Sequence, residues 1–314
     1  MENYQAVWRR PIISDYKGYK IISMGPPSSG GLVLNQILKM IENYDLKKMG
    51  WHSEKYIQLI VEAERRAYAD RAKYMGDSDF YPVPIDNLLD ANYLSKRMED
   101  FTFDQAGQSD QLAAGSFGQK ESEETTHFSV VDPEGNAVSI TTTLNGGYGS
   151  KVVVEGAGFL LNNEMDDFSA QPGVPNLYGL VGGEANAIVP SKRMLSSMTP
   201  TILEKDGALF MVVGTPGGST IITSVLQNIL NVVEFGMDMQ SSVASPRFHH
   251  QWLPDVIFSE DGAFSDKVRE DLKKKGYKVM QRGSIGRVDA IKITKDGKLE
   301  GGADPRGDDR AKGF

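Results

Sequence analysis

The residues that could do chemistry begin with a ladder of hydroxyls. Thr125-Thr126-His127-Phe128-Ser129-Val130-Val131 and Ala137 to Thr143 both alternate with period two, and Asp132-Pro133-Glu134-Gly135-Asn136 between them is rich in turn formers. If those five residues form the turn without a bulge, Asp132 opposes Asn136, and counting back along both strands brings Thr125 opposite Thr143. Alternation then gathers Thr125, His127 and Ser129 with Thr143, Thr141 and Ser139 on one face, and Phe128 and Val130 with Ile140 and Val138 on the other. The apolar face is expected to be core and the hydroxyl face open. Cutting the chain before Thr125 would expose a threonine nucleophile there. A Thr/Ser ladder is also the common make-up of an exposed sheet face, so the pattern alone leaves both readings standing.

The elements that must position such a ladder follow from the rest of the chain. With 314 residues, 40% of them hydrophobic, it is long enough for one large or two small domains with a buried core. A net charge of -8 supplies no basic face for phosphate backbones, which argues against nucleic acid as a partner. The absence of cysteine removes thiol nucleophiles, thiolate metal sites and disulfides, so any nucleophile is an oxygen or an amine. No run is long and apolar enough for a membrane span, and Met1 to Pro11 lacks a signal-peptide core.

A strand over Tyr19 to Met24 leads into Pro26-Pro27-Ser28-Ser29-Gly30-Gly31 and a helix carrying Leu34, Ile37, Leu38 and Ile41. A second helix is expected from about Ser53, its N-cap, to Tyr74, with Glu62, Glu64, Arg65, Arg66 and Asp70 on a solvated face. Gln105 to Glu124, rich in Gly, Ser, Gln and acidic residues, reads as a mobile surface segment and the best internal boundary. Strands over Thr201 to Leu203 and Ala208 to Val213 flank Lys205-Asp206-Gly207. Helices follow from about Ser219 to Glu234 and near Asp266 to Lys275. The mixture is α/β or α+β.

Several motifs together resemble one family. Thr125 to Asp132 with Gly135-Asn136-Ala137-Val138 is similar to the small-subunit start of gamma-glutamyltranspeptidases, which are N-terminal-nucleophile hydrolases. The likeness continues through Leu161-Asn162-Asn163-Glu164-Met165-Asp166-Asp167-Phe168, Lys192 to Met198, Thr215-Pro216-Gly217-Gly218-Ser219 and Ala244 to Trp252, and ends in Ala303-Asp304-Pro305-Arg306. Upstream, Pro26 to Gly31, Glu62-Ala63, Ala67-Tyr68-Ala69-Asp70-Arg71 and Gly76-Asp77 look like the end of the large subunit. The resemblance implies an α+β fold, the four-layer αββα sandwich. It also implies that the chain is the C-terminal part of the precursor, lacking the beginning of the large subunit. That part supplies sandwich layers and an arginine for the substrate's α-carboxylate.

By the same resemblance, Thr125 attacks the carbonyl of Glu124, and the precursor becomes two paired chains, 1–124 from the large subunit and 125–314 as the small one. Cleavage must precede catalysis because a threonine hydroxyl needs a base, and a freed α-amine with an ordinary pKa of ~7.7 to 8.0 is one. Thr143 matches the threonine that orients the nucleophile. Gly217 and Gly218 match the oxyanion donors, aided by the positive end of the helix that follows. Asn145, Glu164 and Asp167 match the acceptors of a glutamyl ammonium, Ser196 and Ser197 the donors to its carboxylate, and Pro172 to Gly183, with Tyr178 central, a lid. His127, His249 and His250 are expected to be structural. No metal or other cofactor is expected.

The implied activity is a self-processing γ-glutamyl transferase and glutathione hydrolase. It would pass a γ-glutamyl group from glutathione or another γ-glutamyl compound to water, an amino acid or a peptide amine, in the periplasm or outside the cell. The alternatives are a related acylase, acting on cephalosporins or poly-γ-glutamate, and a non-catalytic shortened homologue.

Overall fold

The computed structural model describes residues 4–110, 125–176 and 179–313. Its largest sheet has six antiparallel strands in the order β1 (Ile12–Tyr16), β2 (Tyr19–Ser23), β5 (Thr201–Lys205), β6 (Ala208–Gly214), β10 (Asp289–Ile293) and β11 (Leu299–Gly302). The hairpin β3 (Thr125–Val131) and β4 (Ala137–Thr143) is a separate pair, and β7 (Phe248–His249), β8 (Ile257–Ser259) and β9 (Val279–Gln281) form a small third sheet. The helices are α1 (Gly30–Ile41), α2 (Leu46–Met49), α3 (Glu54–Tyr74), α4 (Ile85–Leu88), α5 (Ala91–Arg97), α6 (Thr220–Val233), α7 (Met239–Ala244) and α8 (Asp266–Lys274). The architecture is mixed α and β.

Local chemistry accounts for the helix limits. Ser53 caps α3 by accepting from the Tyr56 amide, and Ser265 caps α8 by accepting from Val268. Every residue of α1 except Lys39 is buried, as its apolar and small side chains require of a helix covered on all sides. α1 packs against α3, α6, β1 and β2. Met211 and Val213 of β6 join this helical core, whereas Gly214 points the other way, at the imidazole of His127 in the hairpin. Helices therefore cover one face of the six-stranded sheet and the hairpin lies across the other.

Two expectations about faces are corrected. Glu62, Glu64, Arg65, Arg66 and Asp70 are buried, not solvated. A second layer covers the outer side of α3, where Glu62 pairs with Arg66 at 2.6 Å and Arg65 at 3.4 Å, and Asp70 with Arg97 at 3.1 Å. Periodicity identifies a polar stripe, but a polar stripe can be buried if its charges are paired. The hairpin also faces the opposite way from expectation. The hydroxyl face turns inward, with Ser139 Oγ donating to the Val213 carbonyl and Ser129 Oγ to that of Asp289. Phe128, Val130, Val138 and Ile140 are 38–49% exposed. The inward face meets a sheet whose carbonyls accept those hydroxyls.

The segment expected to be mobile is held where it is described. Gly107 N donates to Glu62 Oε1 and Ser109 N to Asp255 Oδ2, and the Ser109 carbonyl accepts from Trp252 Nε1. Residues 111–124 of that segment lie outside the described residues.

The contact between Gly214 and His127 yields a stability prediction. A methyl group at Gly214 would overlap the imidazole ring, which is buried and bonded to Thr141 Oγ1 at 2.8 Å and Ser129 Oγ at 3.1 Å. Gly214→Ala should cost about 1–3 kcal/mol of stability, read by urea unfolding. An unchanged midpoint would contradict the packing of the hairpin on this sheet.

Candidate active site

The hairpin register is the one the turn length dictates. Thr125 pairs with Thr143, and each pair follows in step to Val131 with Ala137. Thr125 Oγ1 donates to Thr143 Oγ1 at 3.1 Å, and Thr143 Oγ1 accepts from the Asn145 amide at 2.8 Å. Asn145 can give that amide because it turns the chain with φ 73, a conformation asparagine tolerates better than most residues. Its side chain donates to the Asn163 carbonyl at 3.3 Å, and Asn163 Oδ1 accepts from Gly146 N at 2.8 Å. The turn after β4 is thereby tied to the segment that leads to Glu164 and Asp167.

A cavity beside Thr125 brings together Thr143, Asn145, Asp167, Ser196, Ser197 and Gly218. Glu164 lines an adjoining groove that shares Thr143, Ser196 and Met198 with this cavity. Burial pushes the Asp167 carboxyl up to about 7, with Glu164 adding to the rise and Arg71 opposing it. Burial also raises Glu164. Tyr178 and Glu124 lie outside the described residues. Around Tyr178, Gly173 N donates to the Gly182 carbonyl at 2.9 Å, and Leu180 reaches the cavity wall.

The loop Pro26 to Gly31 holds the serine pair. The Ser196 amide donates to the Pro27 carbonyl at 3.1 Å, the Ser29 amide to the Ser196 carbonyl at 2.9 Å, and Ser28 Oγ to the Met198 carbonyl at 2.6 Å. A side chain at Gly30 would overlap the Met198 carbonyl, so glycine allows the two loops to meet.

Arg71 ends the Ala67 to Arg71 motif, whose sequence assigns it no role. In the structure its guanidinium lines the cavity, with Nε donating to Ser29 Oγ at 2.9 Å and Nη2 to Ser197 Oγ at 3.1 Å. Burial lowers it to about 10, while Asp167 opposes the fall, so it is charged at neutral pH. The signal that could have found it is an arginine on a helix that turns out to be buried on every side.

Gly217 and Gly218 join β6 to α6 with φ 138 and 54. A side chain at Gly217 would come within 2.6 Å of Thr220 Oγ1 and 3.3 Å of Gly286 Cα, so the strand-to-helix turn requires glycine. Gly218 lines the cavity, and Gly217 stands behind it, its carbonyl accepting from Thr220 Oγ1 at 2.7 Å. The 14-residue α6 starts at this turn with its positive end near the cavity. The three family-motif histidines are buried, and burial lowers His127 to about 4 and His249 to about 3. Among the described residues no group of His, Asp and Glu has the spacing of a metal site.

The Thr125 hydroxyl thus stands at a cavity walled by a carboxylate, a guanidinium, two serines and a glycine turn at a helix start. The chain belongs to the gamma-glutamyltranspeptidase family, whose model matches residues 1–314. It is 48% identical over 312 residues to the glutathione hydrolase proenzyme of Escherichia coli K12, covering 99% of this chain and 54% of that protein. To the acylase ACY 1 proenzyme of Pseudomonas sp. SE83 it is 35% identical over 309 residues, 98% of this chain and 52% of that one. The chain spans about half the length of the curated relatives it matches.

A crystal structure of a mutant Helicobacter pylori gamma-glutamyltranspeptidase superimposes with a TM-score of 0.57 at 53% identity, covering 58% of this chain and 100% of that one. The cephalosporin acylase of Bacillus halodurans shares the fold over 99% of this chain and 55% of its own, with a TM-score of 0.83 at 24% identity. No helix among the described residues is long and apolar enough to cross a membrane.

Proposed function

We propose that this chain is the portion of a gamma-glutamyltranspeptidase precursor that cuts itself between Glu124 and Thr125 and then transfers γ-glutamyl groups through Thr125. The observation that carries this reading is the 3.1 Å bond from Thr125 to Thr143 at the cavity shared with Asp167, Arg71 and Ser197. Residues 1–124 and 125–314 would be two paired chains within a four-layer αββα sandwich. The exposed apolar face of β3 and β4 is the surface another layer would cover. An address in the periplasm or outside the cell rests on the family resemblance alone.

In this mechanism the freed Thr125 amine takes the hydroxyl proton as Oγ1 attacks the γ-carbonyl of the donor, glutathione being the expected one. The oxyanion that forms is met by the Gly217 and Gly218 amides. The donor's C–N bond breaks and its amine leaves with the proton handed on by the Thr125 amine; water or an acceptor amine then attacks the ester, its proton passes through the same amine to Oγ1, and the bond to Oγ1 breaks. Asp167, Glu164 and Asn145 would take the substrate ammonium, and Ser196 and Ser197, backed by Arg71, its carboxylate. The cavity itself has room for about 30 Å³, so a glutamyl group would extend into the adjoining groove of about 870 Å³, where Glu164 waits.

The acylase relatives favour a second reading, in which the acyl group is glutaryl and lacks the ammonium. The two separate on p-nitroanilides. We expect kcat/KM for γ-glutamyl-p-nitroanilide to exceed that for the glutaryl compound at least about 100-fold, because Asp167 and Glu164 would repel a group without the cation. A preference for glutaryl would overturn the substrate assignment. No cleavage of either would favour a non-catalytic chain.

A further inference from the structure

The head of a γ-glutamyl donor carries an ammonium and a carboxylate on one carbon, so the groups that receive them must stand at a fixed separation. Those groups lie on different segments. Asp167 ends the short turn Glu164–Asp167, whereas Ser196 and Ser197 follow Leu195 further along the chain. Asn186 joins the two. Its Nδ2 donates to the Asp167 carbonyl at 2.7 Å, and its Oδ1 accepts from the Leu195 amide at 2.9 Å.

The main chain of Asn186 strengthens this joint, its carbonyl accepting from the Ser169 amide at 2.9 Å and its amide donating to the Gly183 carbonyl at 3.1 Å. Lys192 holds both neighbours. Its Nζ donates to the Ala185 carbonyl at 2.8 Å and to the Ala187 carbonyl at 3.0 Å. A planar side-chain amide offers a donor and an acceptor side by side, and here each meets its complement. Asn186 is 3% exposed, so water does not replace a bond that is lost. It stands outside the cavity wall, to which Asp167, Leu195, Ser196 and Ser197 all belong, and therefore acts through them.

We propose that Asn186 is a positioning residue that sets the spacing between the Asp167 carboxylate and the serine pair, and thereby makes the site select an acyl group with both ammonium and carboxylate over one with the carboxylate alone. The inference deepens the function proposed above and rests on it. The two side-chain bonds have separable consequences. Loss of the bond to Asp167 harms only an acyl group that carries an ammonium. Loss of the bond to Leu195 harms γ-glutamyl and glutaryl groups alike, because both present a carboxylate to the serines.

The test compares γ-glutamyl- and glutaryl-p-nitroanilide on the purified, self-cut wild type, Asn186→Ala and, as a smaller polar replacement, Asn186→Ser. In N186A the ratio of the two kcat/KM values should fall roughly tenfold, mainly through the γ-glutamyl KM, the worth of one hydrogen bond to a charged group. A merely structural role would depress both donors equally. In the D167N background, which lacks the carboxylate to be positioned, the same substitution should move the ratio by no more than about twofold. An unmoved ratio in N186A and N186S, or an equal fall in the D167N background, would overturn the proposal. So would failure of both variants to fold, or a folded variant that stays uncut, since Asn186 would then serve the fold or Thr125 rather than the head group. Absence of p-nitroaniline release from the wild type would contradict the proposed function instead. Calorimetric binding of L-glutamate and glutarate would then still read the spacing, with an unchanged preference in N186A counting against it.

Discussion

Thr125→Ala should remain a single chain and lose amide cleavage by roughly 10⁴-fold or more, the scale seen when a nucleophile is removed from a site whose residues act as a unit. The loss is chemical. Alanine keeps the strand, and the hydrogen bond forfeited is the 3.1 Å contact to Thr143, about 1 kcal/mol of stability. A folded, uncut and inactive variant is therefore the expected result, with cleavage read by mass and activity by p-nitroaniline release. Cutting or turnover that survives in the variant would exclude Thr125 as the nucleophile.

Asp167→Asn should lower kcat/KM for the γ-glutamyl donor by about 100-fold and at the same time stabilise the fold. Both effects come from one cause. Burial and the neighbouring Glu164 hold the Asp167 carboxyl at about 7, so in the empty site it is charged only above that pH, while a substrate ammonium needs the charged form. The donor KM should fall about tenfold per unit as pH rises towards about 7, then level off, and the slope should weaken in D167N, leaving the part due to Glu164.

The sign for stability follows from proton counts. Between the unfolded pKa of about 3.9 and the folded value of about 7, the folded state holds more protons at this site. Its contribution therefore falls as pH rises through that window. At pH 8 D167N should be more stable by on the order of 2 kcal/mol, read by urea unfolding. A less stable D167N would mean that the carboxylate is structural, and a pH-independent donor KM in the wild type would remove it from ammonium recognition.

The hairpin was legible to the residue because its register depends only on the length of the turn, and the five residues from Asp132 to Asn136 determine which threonines meet. Its orientation was not legible. Alternation sorts residues into two faces without saying which one meets another layer, and here the layer beneath offers carbonyls that accept from Ser129 and Ser139. The same limit hid Arg71. It falls on a helix whose Glu, Arg and Asp residues look solvated, and only the tertiary structure reveals that Glu62, Arg65, Arg66 and Asp70 are paired inside, that Glu64 is buried and accepts from the His250 amide, and that Arg71 reaches Ser29 and Ser197. The grouping of Asn145, Asp167, Ser196 and Ser197 around Thr125 was accessible through the motifs, not through spacing, because it joins segments that local periodicity cannot relate.

The intact mass of the purified wild-type chain, followed over time, tests the central claim most directly. The account predicts two fragments that meet between Glu124 and Thr125, the second beginning with a free threonine amine. A chain that stays whole yet cleaves γ-glutamyl amides, or fragments that meet anywhere else, would contradict it.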